Sequence, residues 1–148
     1  MNNITITHPT KNDIDTMFLW GTTHRELWSG EIDGWYRKKT FVAWAQADPE
    51  SMFVAKDGET LVGMCLVEFL HGWVYCSDLY VDDPYRGKGI GKMLLDEVQT
   101  AAAKRGIEFV DLVVEENNEE AKSFYKKIGF HEGFHFIWMS RKKKNETT

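Results

Sequence analysis

A chain of 148 residues, 43% hydrophobic and 28% charged, is long enough to bury a core as one domain and too apolar to be disordered. Its formal net charge of −5 argues against nucleic acid as a partner, which needs a basic surface. No apolar run approaches the ~18 residues of a membrane span, and the start MNNITITHPTKND lacks the basic-then-apolar order of a signal peptide. A cytoplasmic protein with no membrane partner is expected.

Ile4 and Ile6 alternate with Asn3, Thr5 and Thr7, which predicts a short first strand. Ile14, Met17 and Phe18 follow helical spacing. GTTHRELWSGEIDG reads as a loop or broken helix. A second helix is expected over Glu31–Gln46, with Trp35, Phe41, Val42 and Ala45 on its apolar side. SMFVAKDGETLVGMCLVEFL reads as two strands joined at Asp57-Gly58. HGW turns the chain into a third strand, VYCSDLYV. After a glycine loop comes a helix with Ile90, Leu94, Val98 and Ala101 on one face, ended by Gly106. FVDLVV is apolar enough for a buried strand. Asn118 opens a last helix, with Ala121, Phe124, Tyr125 and Ile128 inward and Gly129 ending it. FHEGFHFIWMS is expected to close the fold with one or two strands, and RKKKNETT to be a frayed tail, residues 142–148 above all. The fold class is α/β with a mixed sheet and helices on its faces.

Cys65 and Cys76 fall in strands and read as free core thiols. His131 and His135 are spaced H-x-x-x-H, but Gly133 between them suggests an extended segment. No C-x-x-C or H-E-x-x-H motif is present, so no metal is expected.

The stretch DLYVDDPYRGKGIGKMLL carries the chemistry. A strand–loop–helix order places glycines where the first N–H groups of a helix lack partners and its dipole is positive, an arrangement suited to phosphate. Gly87, Gly89 and Gly91 leave the backbone accessible, and Arg86, Lys88 and Lys92 add cations. The spacing fails G-x-x-x-x-G-K-[ST], because Lys92 is followed by Met93. It fails G-x-G-x-x-G, because Lys92 stands where the last glycine belongs.

What fits is R-x-x-G-x-G, as Arg86-Gly87-Lys88-Gly89-Ile90-Gly91. About thirty residues on, NNEEAKSFYKKIGF places Asn118, Ala121, Phe124, Tyr125, Gly129 and Phe130 as Asn-x-x-Ala-x-x-aromatic-Tyr-x-x-x-Gly-Phe. Together these resemble the two signatures of the GNAT-type N-acetyltransferases, over roughly residues 52–140. The resemblance implies a GNAT-like fold, with a mostly antiparallel sheet, a splayed parallel strand pair and helices on both faces. It implies a single N-acetyltransferase domain using acetyl-CoA. The pantetheine arm would lie along Leu79, Tyr80 and Val81. The pyrophosphate would rest on residues 86–92 (Arg86, Gly87, Lys88, Gly89, Ile90, Gly91 and Lys92), and Asn118, with Ala121 and Tyr125, would line the far wall.

The reaction so implied is direct attack of a neutral amine on the thioester. Tyr125 is the candidate general acid for the leaving sulfur, since a phenol is protonated at pH 7; spacing alone favours an inward packing residue instead, and its place in the second signature reverses that. Asp78 or Glu68 is the candidate base, directly or through water. Relatives often carry an acidic residue where this chain has Ser77, which leaves the base open. For the acceptor, Trp28, Glu31, Trp35 and Tyr36 form an aromatic and acidic set suited to a cationic amine. HRELWSG weakly resembles a loop of some aminoglycoside 6'-acetyltransferases. A polyamine- or aminoglycoside-like small molecule leads, followed by a peptide or protein amine. A non-catalytic acyl-CoA sensor is the different-class alternative. FHFIWM could pair across a homodimer.

Overall fold

The computed structural model describes residues 3–27 and 35–143. Among them five strands form one sheet in sequence order: β1 (Ile4–Thr7), β2 (Met52–Asp57), β3 (Thr60–Phe69), β4 (Val74–Val81) and β5 (Val110–Leu112). Neighbours are antiparallel except β4 and β5, which run parallel. The β2–β3 hairpin closes one residue later than expected. Asp57 pairs with Thr60, so the two-residue loop is Gly58-Glu59. Gly58 takes φ 62° at the first loop position, a conformation that glycine adopts without strain.

Four helices cover the sheet: α1 (Ile14–Thr23), α2 (Lys38–Ala47), α3 (Ile90–Lys104) and α4 (Glu119–Lys127). On one face, Met17, Trp20 and Phe41 of α1 and α2 pack with Met52, Val54, Met64, Leu66 and Tyr80. On the other, Ile90, Leu94, Leu95, Val98 and Ala102 of α3 pack with Phe53, Ala55, Cys65, Val67, Val74 and Cys76; Phe124, Tyr125 and Ile128 join from the α4 side. The strict alternation of β2, with Met52 and Val54 on one face and Phe53 and Ala55 on the other, follows from the two-residue period of a strand. Helices therefore lie on both faces, as expected. Gly63 on β3 admits α3, because a Cβ there would stand 3.3 Å from the Leu94 side chain and 3.0 Å from the Tyr80 carbonyl oxygen.

Beta strand β4 breaks its own alternation. Val74 and Cys76 face α3, yet Tyr80 faces α1 and α2. The register explains this: Val67 pairs with Cys76 but Leu66 with Asp78, so Ser77 is an extra residue. Such a bulge rotates the following side chains to the other face.

Three expectations are corrected. The second helix begins at Lys38, not near Glu31. Trp35 and Tyr36 precede it, held by contacts with α1 and β4 that override helical spacing. FVDLVV supplies only Val110–Leu112, with Phe109 and Val113 exposed, because one edge of β5 has no strand beside it among the described residues. FHEGFHFIWMS forms no strand and pairs with none of the five. The broken stretch after Trp20 does resolve into structure, since α1 runs on to Thr23 and a 3-10 turn covers Arg25–Leu27. Among the described residues no helix is long and apolar enough to cross a membrane.

Candidate active site

The site gathers where β4 parts from β5. Their ladder pairs Val74, Cys76 and the residue between them with Val110–Leu112, and stops. From Asp78 to Val81, β4 is paired only with β3 among the described residues. Its other edge, along Leu79, Tyr80 and Val81, offers backbone groups that need partners. Next in the chain, Gly89 caps α3 with φ 81°. The first helical N–H groups, of Ile90, Gly91 and Lys92, have no acceptors within the helix.

The three glycines differ in role. Gly87 and Gly89 hold φ 74° and 81° with open space where a Cβ would be. Gly91 instead makes room for α4, because a Cβ there would stand 3.0 Å from Phe124 Cζ. The three cations are all engaged by protein. Arg86 donates Nε–H to the Val81 carbonyl (2.8 Å), pairs with Asp83 (3.1 Å) and lies over the Tyr80 ring. Lys88 lies over Tyr85, and Lys92 pairs with Asp96. The N–H groups of the first turn of α3, without acceptors in the helix, and the Lys88 ammonium, over a ring rather than a carboxylate, are thus the donors the loop can offer a ligand. Asn118 caps α4, its Oδ1 accepting from the Ala121 N–H at 3.1 Å.

Two ionisable side chains flank the parting strands from opposite faces. On the α4 side, Tyr125 packs beside Phe124 and Phe130. Burial pushes its phenol well up, with the Cys76 and Cys65 thiols adding to the effect. It is protonated at neutral pH, and its hydroxyl has no hydrogen-bond partner among the described residues. Those two thiols are free, buried and 3.5 Å apart. On the α1/α2 side, the Ser77 bulge aims Asp78 inward. Its carboxylate is 4% exposed and accepts from Trp35 Nε1 and Ser77 Oγ, both at 2.8 Å. Burial raises its pKa to about 6 against these two donors. Glu68, the other candidate base, is exposed two positions along β3 from Leu66, the partner of Asp78.

Trp35 is held by α1. Gly21 leaves space for its indole, since a Cβ there would stand 2.2 Å from the Trp35 ring atoms. Tyr36 stacks edge-on against Trp35 and Trp44. Burial, with Asp78 next in weight, pushes its phenol up to about 12. Trp28 and Glu31 lie outside the described residues.

Sequence reasoning missed Tyr75. It sits opposite Glu68, and its buried hydroxyl has no partner. The bulge puts it on the same face as Asp78. The one available signal was the aromatic preceding Cys76, which is indistinguishable from an ordinary strand tyrosine without the register. His24 was missed too: its Nε2 is 2.9 Å from the Tyr80 hydroxyl, and its Nδ1 is 3.4 Å from Glu26, which approaches Arg86. Among the described residues no group of three or more His, Cys, Asp or Glu could hold a metal ion; His135 instead meets Glu116 and Glu132.

A mixed sheet that opens between its parallel strands, with a helix N-terminus at the opening, defines the acyltransferase class of fold anticipated from the two signatures. The chain matches the model of the acetyltransferase (GNAT) family over residues 19–130 and belongs to that family. The match reaches further into the N-terminal half than the two signatures do. An uncharacterized N-acetyltransferase of Methanocaldococcus jannaschii is 30% identical over 142 residues, covering 86% of this chain and 61% of the relative. An L-ornithine N5-acetyltransferase of Arabidopsis thaliana is 40% identical over 55 residues, 37% of this chain and 24% of the relative. The chain thus spans less than two thirds of these relatives. Among solved structures, the aminoglycoside enzyme AAC(6')-Iy, in complex with a CoA-S-monomethyl-acetylneamine bisubstrate analog, superposes with a TM-score of 0.71 at 17% identity. That match covers 95% of this chain and 99% of the other, and is a likeness of fold.

Proposed function

We propose that this protein transfers the acetyl group of acetyl-CoA to a primary amine of a small cationic acceptor. The observation that carries the proposal is the opposed placement of Asp78 and Tyr125 across the opening between β4 and β5. The open β4 edge from Leu79 to Val81 suits the amides of a pantetheine arm, as an added strand would. The first-turn N–H groups of α3 suit its pyrophosphate.

The acceptor approaches from the α1/α2 face. Asp78 takes the proton of the bound ammonium, a task suited to a carboxylate near pKa 6. The free amine attacks the thioester carbonyl, and a backbone N–H of Leu79–Val81 stabilises the developing oxyanion. As the C–N bond forms and the C–S bond breaks, Tyr125 gives its proton to the departing sulfur from the other face; the second proton shed by the nitrogen returns to the Tyr125 phenolate through water, and Asp78 releases the first to solvent. Glu68, exposed on β3 opposite Tyr75, is left the role of attracting cations.

Aromatic faces at Trp35 and Tyr36, with the Asp78 carboxylate and the orphan Tyr75 hydroxyl, favour a compact ammonium over a neutral amine. The ornithine-acetylating relative and the aminoglycoside-enzyme neighbour support the same class. The test is a comparison of kcat/KM for diamines, polyamines, aminoglycosides and unstructured peptides. Small polycations should lead by tenfold or more. A preference for peptides would overturn the acceptor assignment, and tight acetyl-CoA binding without turnover on any amine would point to a sensor.

A further inference from the structure

One group of polar side chains takes no part in the acyl-transfer steps, yet it joins the N-terminal half to the donor loop. His24 stands at the end of α1, its backbone N–H closing the helix on the Trp20 carbonyl at 2.9 Å. Its Nε2 meets the Tyr80 hydroxyl at 2.9 Å, and the two rings lie 4.5 Å apart. Tyr80 is buried on β4, 56 residues away along the chain. Its ring in turn carries the Arg86 guanidinium, 5.4 Å from the ring centre. Arg86 is fastened on two further sides, by Nε–H to the Val81 carbonyl at 2.8 Å and by Nη1 to Asp83 at 3.1 Å.

Charge decides what this group does. Two carboxylates compete for Arg86. Asp83 is already in contact, and Glu26 Oε1 stands 4.0 Å from Nη2, the outer limit of an ion pair. The same Glu26 oxygen is nearer to His24 Nδ1, at 3.4 Å. His24 thus keeps Glu26 from closing on the guanidinium. Were it to close, Arg86 would have less charge and fewer N–H groups to give a phosphate.

We propose that His24 is a positioning residue for the donor. It pins the Tyr80 hydroxyl and holds Glu26 off Arg86, so that the guanidinium stays on the Val81 carbonyl with charge left for the pyrophosphate. The inference rests on the acyl-CoA reading of the glycine loop. It gives the end of α1, in the half of the chain assigned to the acceptor, a part in donor affinity.

The test is calorimetric titration of the full chain with acetyl-CoA and with S-acetylpantetheine, which has the same thioester and arm but no pyrophosphate. Alanine keeps the backbone contact that closes α1, so His24→Ala should fold. It should weaken acetyl-CoA about three- to tenfold, the worth of one hydrogen bond, and leave S-acetylpantetheine unaffected. Adding Glu26→Gln should restore most of the loss, because a neutral amide cannot neutralise Arg86. Glu26→Gln alone, at an exposed position, should tighten acetyl-CoA about two- to threefold, the worth of an exposed ion pair, a readout that needs no His24 variant. A wild type that binds acetyl-CoA and a His24→Ala protein that binds it equally well overturn this inference alone. A wild type that binds neither donor overturns the acyl-CoA reading with it. Equal losses for the two donors, a loss that Glu26→Gln does not relieve, or weaker binding by Glu26→Gln alone also overturn the positioning role.

Discussion

Replacing Asp78 with asparagine should make the protein more stable and less active at once. The carboxyl rises from 3.8 to about 6 on folding because burial disfavours its charged form. The native state then holds this proton more tightly than the unfolded chain does, so this group's contribution falls as pH climbs from about 4 to about 6 and stays low above that. A shift of about two units corresponds to about 3 kcal/mol. Asparagine is neutral throughout. Its Oδ1 can still accept from Trp35, and its amide can still meet the Ser77 hydroxyl, so packing and hydrogen bonds are conserved. Urea unfolding of both proteins between pH 4 and pH 8 isolates the effect, because every other carboxylate is common to the two. The variant should match the wild type near pH 4 and exceed it by up to about 3 kcal/mol at pH 7.5, roughly 6–10 °C in Tm for a chain of this length. Its kcat/KM should fall by about 10²–10⁴, the usual worth of a general base. A stability difference that does not change with pH, or a variant less stable at pH 7.5, refutes the burial argument.

Other consequences are equally direct. Tyr125→Phe should lower kcat by about 10²–10⁴ while acetyl-CoA binding, followed by calorimetry, stays within a few-fold; unchanged turnover removes Tyr125 from the mechanism. Gly89→Ala forces a side chain into φ 81° and should cost about 1 kcal/mol in denaturant unfolding and weaken acetyl-CoA binding, whereas an unchanged dissociation constant separates the loop from the donor. Gly21→Ala should expel the Trp35 indole from its seat, breaking its hydrogen bond to Asp78 and raising KM for the amine more than for acetyl-CoA; equal effects on the two would show a general loss of packing.

The sequence was most informative where local rules act without tertiary help. VYCSDLYV marked β4 to the residue, and Asn118 and Gly129 bounded α4 as its cap and stop. The glycine loop was legible because positive φ and a helix N-terminus demand particular residues. The base was not. Ser77 reads as a departure from the acidic residue of relatives, yet its role is spatial: as the bulged residue it turns Asp78 to the α1/α2 face and donates to it. A bulge is a property of two strands in register, which neither strand displays alone. The spacing of Trp35 suits a helix, while a ring seat on Gly21 and a carboxylate on β4, 43 residues away, decide its position. The composition of FHFIWM suits a strand, and among the described residues no sheet edge pairs with it.

The most direct test of the account follows both products of the reaction with purified protein, acetyl-CoA and a small polyamine. Free CoA thiol and the mono-acetylated amine should appear in equal amounts, at a rate that falls as the pH drops below about 6 and that collapses in the Tyr125→Phe variant. Thiol release that is independent of amine, or bound acetyl-CoA that no cationic amine discharges, would contradict it.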